Sequence, residues 1–198
     1  ADDRNILFFD GGFLVHSGHP NQGIKRIINL YQKYWENSDL PICINLLSDQ
    51  PAHLERIIRS VEEIENIVAI ELSINYPLTK YEILDMVQSI MGELPIILNI
   101  SDEFVYQDWI DQLLIPEIFA ISLQAPRGII NYDGQYISGR LFGRSILPKT
   151  LQMIKHLASL GKPIFAGVGI VDSKDIIKLF ELGASNFQAH ELIWRNNI

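Results

Sequence analysis

The chain has 198 residues, a formal net charge of −8, 47% hydrophobic and 20% charged residues. That length and composition describe one ordered globular domain with a sizeable core, not a disordered chain. The acidic balance argues against nucleic acid or an anionic membrane surface as partner, because both reward an excess of Lys and Arg.

The N-terminus, Ala1-Asp-Asp-Arg-Asn, is charged, and the apolar run Ile6–Phe9 after it is too short for a signal peptide. Ile6–Phe9 is a marginal strand candidate, because Asp10-Gly-Gly follows it at once. No run of eighteen apolar residues predicts a membrane span, so a cytoplasmic protein is expected. A helix is predicted over Gln22–Trp35, then a strand over Ile42–Leu47 that contains the lone Cys43. The cysteine reads as a small buried residue, and alone it excludes an intrachain disulfide. A helix over Pro51–Glu65 and a strand over Val68–Ile74 follow. Thr79-Lys-Tyr-Glu82 has the capping-box pattern and predicts a helix running towards Met91. Strands are predicted at Ile96–Ile100, Phe119–Leu123, Ile164–Gly167 and Asn186–Ala189. Helices are predicted over Leu151–Leu160, stopped by Gly161, and over Lys174–Leu182, capped by Asp172 or Ser173 and stopped by Gly183. The six main strand candidates are nearly all apolar, as parallel strands covered on both faces must be. Their alternation with helices predicts a parallel α/β sheet in a single domain over residues 1–198.

Two glycine segments stand out. Gly139-Arg-Leu-Phe-Gly143 is read as a loop leading into the helix at Pro148, and Pro163-Ile-Phe-Ala-Gly-Val-Gly169-Ile as a buried strand ending in two glycines. Loops of this kind at strand ends of an α/β barrel bring backbone N–H groups and helix N-termini to one point, which suits a phosphate. Turns and close helix–strand packing need the same glycines, and that reading stays open.

These segments, in order, resemble the class 1 dihydroorotate dehydrogenases, flavin enzymes of pyrimidine synthesis built on a (β/α)8 barrel. Gly139-Arg-Leu-Phe-Gly143 resembles the family's Gly-Gly-Leu-Ser-Gly, and Gly167-Val-Gly169-Ile resembles Gly-Val-Gly-Gly. Gly183-Ala-Ser-Asn-Phe-Gln188 resembles Gly-Ala-Ser-Ala-Val-Gln, and Ile70-Glu-Leu-Ser-Ile-Asn-Tyr-Pro77 resembles Ile-Glu-Leu-Asn-Leu-Ser-Cys-Pro. The resemblance implies a TIM-type barrel holding strands three to eight of the family's eight, incomplete at its N-terminal side.

The same alignment implies a dismantled flavin site. Tyr76 occupies the position of the family's catalytic base, and a phenol with a pKa near 10 is a poor base at neutral pH. Ser73 and Leu78 replace two asparagines that hold the substrate ring. Asn99 replaces the flavin-contacting lysine, and Gln124 an asparagine. His190 and Glu191 stand where Gly and Thr bind the FMN phosphate, so the loss of donors and the added carboxylate oppose an anion there. Ile170 replaces a further glycine.

Arg127, Arg140 and Arg144 are candidates for attracting an anion to the loop face, or else partners for the many acidic residues. His16 and His19 form an His-x-x-His pair without a third ligand nearby, so no metal is expected. The leading expectation is a degenerate barrel without flavin catalysis, and with no bound cofactor. It would act as a structural or interaction subunit, with a protein partner or second copy covering its open sheet edges. Tyr31, Tyr34 and Trp35 of the first helix are candidate contact residues, or else core. The alternatives are an FMN-dependent oxidoreductase with an atypical site, in which Gly139, Gly143, Gly167 and Gly169 hold the phosphate, and a barrel that binds a phosphate ligand without flavin.

Overall fold

The structure is a computed structural model that describes residues 5–16, 22–47, 50–75 and 77–189. Two compact units make up the chain. One comprises Asn21–Ile100 and Gln107–Ile121, and the other Ala1–Pro20, Ser101–Tyr106 and Ser122–Ile198.

The first unit is built on parallel strands β3 (Ile42–Leu46), β4 (Ile67–Ser73), β5 (Ile96–Ile100) and the first part of β6 (Ile118–Leu123), ordered β3-β4-β5-β6. Leu46 pairs with Leu72, and Leu72 in turn with Leu98. Every residue of β5 is buried, as expected of an apolar strand with neighbours on both sides. Helices α1 (Ile24–Glu36), α2 (Pro51–Val61) and α3 (Lys80–Ser89) connect the strands. Pro51 opens α2, where its missing N–H costs nothing. Leu54, Ile58 and Val61 recur at helical spacing and are buried, as are Ile83, Met86 and Val87 of α3. The predicted capping box forms: Thr79 accepts from the Glu82 N–H at 3.3 Å while Glu82 accepts from the Thr79 N–H at 2.7 Å. Asn66 adopts a left-handed backbone (φ 67°), and its amide donates to the carbonyls of Trp35, Ser38 and Leu40, which fixes the turn between α1 and β3. No residue of α1 is buried; Tyr31 and Tyr34 are exposed and Trp35 is half-buried.

One expectation fails here. Cys43 is exposed, not buried. Among the described residues strand β3 ends the sheet, so the strand that carries Cys43 and Asn45 has no neighbouring strand along one edge. Its apolar sequence looked like a central strand because an edge and a centre differ in partners, not in period.

The second unit contains the last part of β6, then β9 (Ile164–Ala166) and β10 (Asn186–Phe187), in the order β6-β9-β10 with β9 and β10 parallel. It also holds an antiparallel sheet, β1 (Ile6–Phe9), β2 (Gly12–Val15), β8 (Gln135–Phe142) and β7 (Arg127–Tyr132), ordered β1-β2-β8-β7. Ile6–Phe9 is thus a strand, but of a hairpin. The predicted loop at Gly139–Gly143 is corrected as well: residues 139–142 belong to β8, and only Gly143 turns out of it. Gly139 lies opposite Gly128 and against β2, where a Cβ would come within 2.4 Å of the Val15 carbonyl oxygen. Helix α4 (Asp102–Val105) follows β5. Helix α5 (Leu147–Leu157) begins four residues earlier than predicted, with Pro148 in its first turn, and α6 (Ser173–Glu181) is capped by Asp172. No helix among the described residues is long and apolar enough to cross a membrane.

Candidate functional site

In α/β folds of this kind the strand ends at the carboxyl side, and the loops that follow, are where ligands meet the protein. In the first unit those ends carry Asn45, Glu71, Ser73 and Asn99, on three adjacent strands. Glu71 pairs with Asn45 in register and Ser73 with Asn99, while positions two apart share a face. The side chains form one network. The Asn45 amide donates to Glu71 Oε2 at 2.6 Å and to Ser73 Oγ at 2.8 Å, and the Ser73 hydroxyl lies 3.1 Å from Asn99 Oδ1. The Asn99 amide reaches Glu71 Oε1 at 3.4 Å. Asn99 is buried within this ladder. Partial burial of the Cys43 sulfur, with the Glu71 charge as second cause, pushes the thiol up to about 11. Leu78 is half-buried, and Tyr76 lies outside the described residues.

In the second unit the end of β6 presents Gln124 and Ala125, both buried. Arg140 reaches in from β8 and donates from Nη1 to the Ala125 carbonyl at 2.7 Å and from Nη2 to Gln124 Oε1 at 2.6 Å. Burial, and then the charge of Arg127 across the hairpin, lower the Arg140 pKa, opposed by Glu103 and Asp102. Burial pushes Glu103 up, but the Ser101 hydroxyl, its own backbone N–H, Asp102 and the Arg140 charge together hold its carboxyl below the usual range. Asp102 also pairs with Lys149 of α5.

The glycine loops are held from within. A Cβ on Gly143 would come within 2.3 Å of the Gly12 Cα, one on Gly167 within 1.9 Å of the Gln188 carbonyl oxygen, and one on Gly169 within 2.5 Å of the Leu147 nitrogen. Gly169 also has φ 91°, which disfavours any side chain. Each of these glycines is therefore required by backbone packing alone. Arg144, just after Gly143, bonds to Asp172 Oδ2 at 3.2 Å and to both carboxylate oxygens of Asp175 at 3.2 and 3.3 Å. Asp175 is fully buried and also accepts from the Val171 N–H at 3.1 Å and from Lys178 Nζ at 3.2 Å. Burial pushes its carboxyl up, but these donors outweigh it and leave the pKa lowered. The Thr150 hydroxyl donates to the Val168 carbonyl at 2.9 Å, which ties helix α5 to the loop after β9.

Of the residues predicted from sequence, Asn99 joins Ser73, and Gln124 joins Arg140. Arg140 and Arg144 are bonded to protein groups, while Arg127 is exposed on β7. His190, Glu191, Tyr76 and His19 lie outside the described residues, so the histidine pair and the substituted phosphate positions are not placed. Among the described residues no group of three or more His, Cys, Asp or Glu gathers to hold a metal. Asn45, Glu71 and Asp175 went unremarked in the sequence. The two-residue alternation Glu71-x-Ser73 was the available signal for the first pair; Asp175 had none beyond lying three residues after a helix cap.

No protein-family model matches the chain. Solved structures of similar fold include dihydroorotate dehydrogenase from Eimeria tenella in complex with ferulenol. Its TM-score is 0.64 at 11% identity, over 89% of this chain and 61% of that one. Inosine 5′-monophosphate dehydrogenase from Legionella pneumophila matches at TM-score 0.53 and 15% identity, over 85% and 48%. The chain therefore has an α/β fold of the incomplete TIM-barrel type, and two different chemistries on related folds show that the fold does not name a reaction. In sequence it is 25% identical over 196 residues to the dihydroorotate dehydrogenase B (NAD(+)) catalytic subunit of Malacoplasma penetrans, and 24% identical over 200 residues to that of Bacillus mycoides. These matches take in 88% of this chain but only 64% and 63% of those relatives. The chain is thus similar, at about a quarter identity, to dihydroorotate dehydrogenase B catalytic subunits over most of its own length.

Proposed function

We propose that the chain is a degenerate dihydroorotate dehydrogenase-like barrel that does not carry out flavin catalysis and serves in the cytoplasm as a structural or interaction subunit. The observation that carries this reading is the ladder at the ends of β3, β4 and β5. Where the family places a lysine against the flavin, Asn99 is neutral and turned to Glu71 and Ser73. A unit charge about 4 Å away is worth ~1–4 kcal/mol between water and an effective dielectric of 20. Replacing a cation by a neutral amide beside a carboxylate therefore removes much of the support for reduced, anionic flavin. The phosphate side agrees, since the glycines answer to backbone packing and Arg144 answers to two carboxylates. Both features support the reading that FMN is not held here as the family holds it.

The exposed edge of β3 and the unburied helix α1 are the surfaces a partner or a second copy would cover. One reading competes. The similarity over 88% of the chain to catalytic subunits favours an FMN-dependent oxidoreductase with an altered site. The visible absorption spectrum of the purified protein, before and after incubation with FMN and removal of free flavin, separates the two. A colourless protein in both samples is expected. A retained flavin band overturns the proposal and makes dihydroorotate turnover the next assay.

A further inference from the structure

We infer that the end of β6 is an acceptor site for a planar pair of N–H donors, formed by Gln124 Oε1 and the Ala125 carbonyl, and that Arg140 fills it as a ligand built into the chain. This rests on the reading of the chain as a barrel without flavin catalysis, and it names the group that occupies this strand end instead of a ligand.

The geometry is that of a bound ligand. Two nitrogens of one guanidinium each meet one of two adjacent residues, at 2.7 and 2.6 Å, near the short end of the range for N–H donors. Both acceptors belong to residues that are themselves buried, Gln124 at 7% and Ala125 at 7% exposure. A carbonyl oxygen buried without a donor costs free energy, so this end of the strand demands one. The arrangement is not forced by the hairpin. Arg140 pairs in register with Arg127 on the neighbouring strand, and turning inward places its charge in a less solvated setting. A long cationic side chain at a sheet face has an inexpensive alternative in water, yet Arg140, on a strand flanked by β2 and β7, turns to this pair of oxygens and to the field of Asp102 and Glu103.

A lysine cannot substitute. Its ammonium is a compact point charge, whereas the fork of a guanidinium spans two acceptors in one plane. The ligand class follows: guanidinium or amidinium groups, free or at the end of a side chain, and not simple ammonium ions.

The test is chemical rescue. Arg140→Ala removes the tethered donor pair and leaves its acceptors. Methylguanidinium, used far below denaturing concentrations, should raise the Tm of this variant saturably, by about 2–4 °C near saturation. It should leave the wild type unmoved, and methylammonium should rescue neither. Arg140→Lys should remain as destabilised as Arg140→Ala. Equal responses of wild type and Arg140→Ala to methylguanidinium, or none in either, overturn the inference. Should Arg140→Ala not fold, the unmodified protein still decides. Arg140 held by two acceptors gives separate 15N signals for its two Nη groups, and Gln124→Leu merges them. A single averaged signal in the wild type overturns the inference. No flavin enters either measurement, so their failure would leave the spectrum of the purified protein to judge the proposed function separately.

Discussion

Asp175 offers the sharpest test of how the glycine loops are held. Its carboxylate has no accessible surface, yet it lies just beneath solvent, because its cationic partners Arg144 and Lys178 are 55% and 51% exposed. It accepts from Arg144, Lys178 and the Val171 N–H, and thereby joins α6 to the loop after β9 and to the turn after β8. Breaking a buried ion pair by deleting one partner costs about 3–5 kcal/mol when the other is left dry. Here both cations regain water, so the cost falls at or below the bottom of that range, and Asp175→Ala should cost about 2–3 kcal/mol. For a chain of this length that lowers the Tm by about 5–10 °C. Asp175→Asn keeps an oxygen for Val171 but loses the charge, and should cost roughly half as much.

The pH dependence has a definite sign. The folded pKa is depressed, so the contribution is fully present above the ordinary carboxylate value near 4 and is lost as pH falls through the lower folded value. Thermal melts of the three proteins from pH 7 down to pH 3 would measure both effects, with the gap between wild type and Asp175→Asn closing below about pH 4. If Asp175→Ala melts with the wild type at pH 7, or if the gap is unchanged at pH 3, the account of the loops is wrong.

Two further outcomes follow from the same structure. Gly169→Ala should destabilise by about 1–3 kcal/mol or more, since φ is 91° and its Cβ would lie 2.5 Å from the Leu147 nitrogen. Gly23→Ala, with φ 83° but open space around it, should cost less, and parallel urea melts that rank them the other way would contradict the packing argument. Cys43, with its thiol pushed up to about 11, should alkylate at pH 8 roughly a hundredfold or more slower than a free cysteine. Its rate should climb through pH 10; a free-thiol rate at pH 8 would show that neither burial nor Glu71 acts on the sulfur.

Local patterns were legible wherever one segment carried its own instructions. The apolar runs at 42–46, 96–100 and 164–166 became parallel strands, and Thr79 with Glu82, and Asp172, became the helix caps their spacing specified. One local signal was passed over. Asp133-Gly134 forms the two-residue turn between Tyr132 and Gln135, with φ of 49° and 80°, a backbone that Asp-Gly favours. Reading the glycines of 139–143 as a phosphate loop hid the hairpin that contains the first of them. The resemblance to dihydroorotate dehydrogenases was legible as an ordered set of short segments, and the relatives and solved structures of similar fold agree with it.

What sequence alone determined is the class of element along the parallel strands and their longer helices, because hydrophobic period and capping act over a few residues. What tertiary structure decided is which polar groups meet. Asn45, Ser73 and Asn99 are each at least 26 residues from the next, and only strand register sets them side by side. Arg140 finds Gln124 across 16 residues, and Arg144 finds Asp175 across 31. Cys43 is exposed on a strand that, among the described residues, ends its sheet, a fact its own apolar neighbours do not encode. A charge is satisfied by whatever the fold brings within about 3 Å, and that distance is set by packing, not by the spacing of letters.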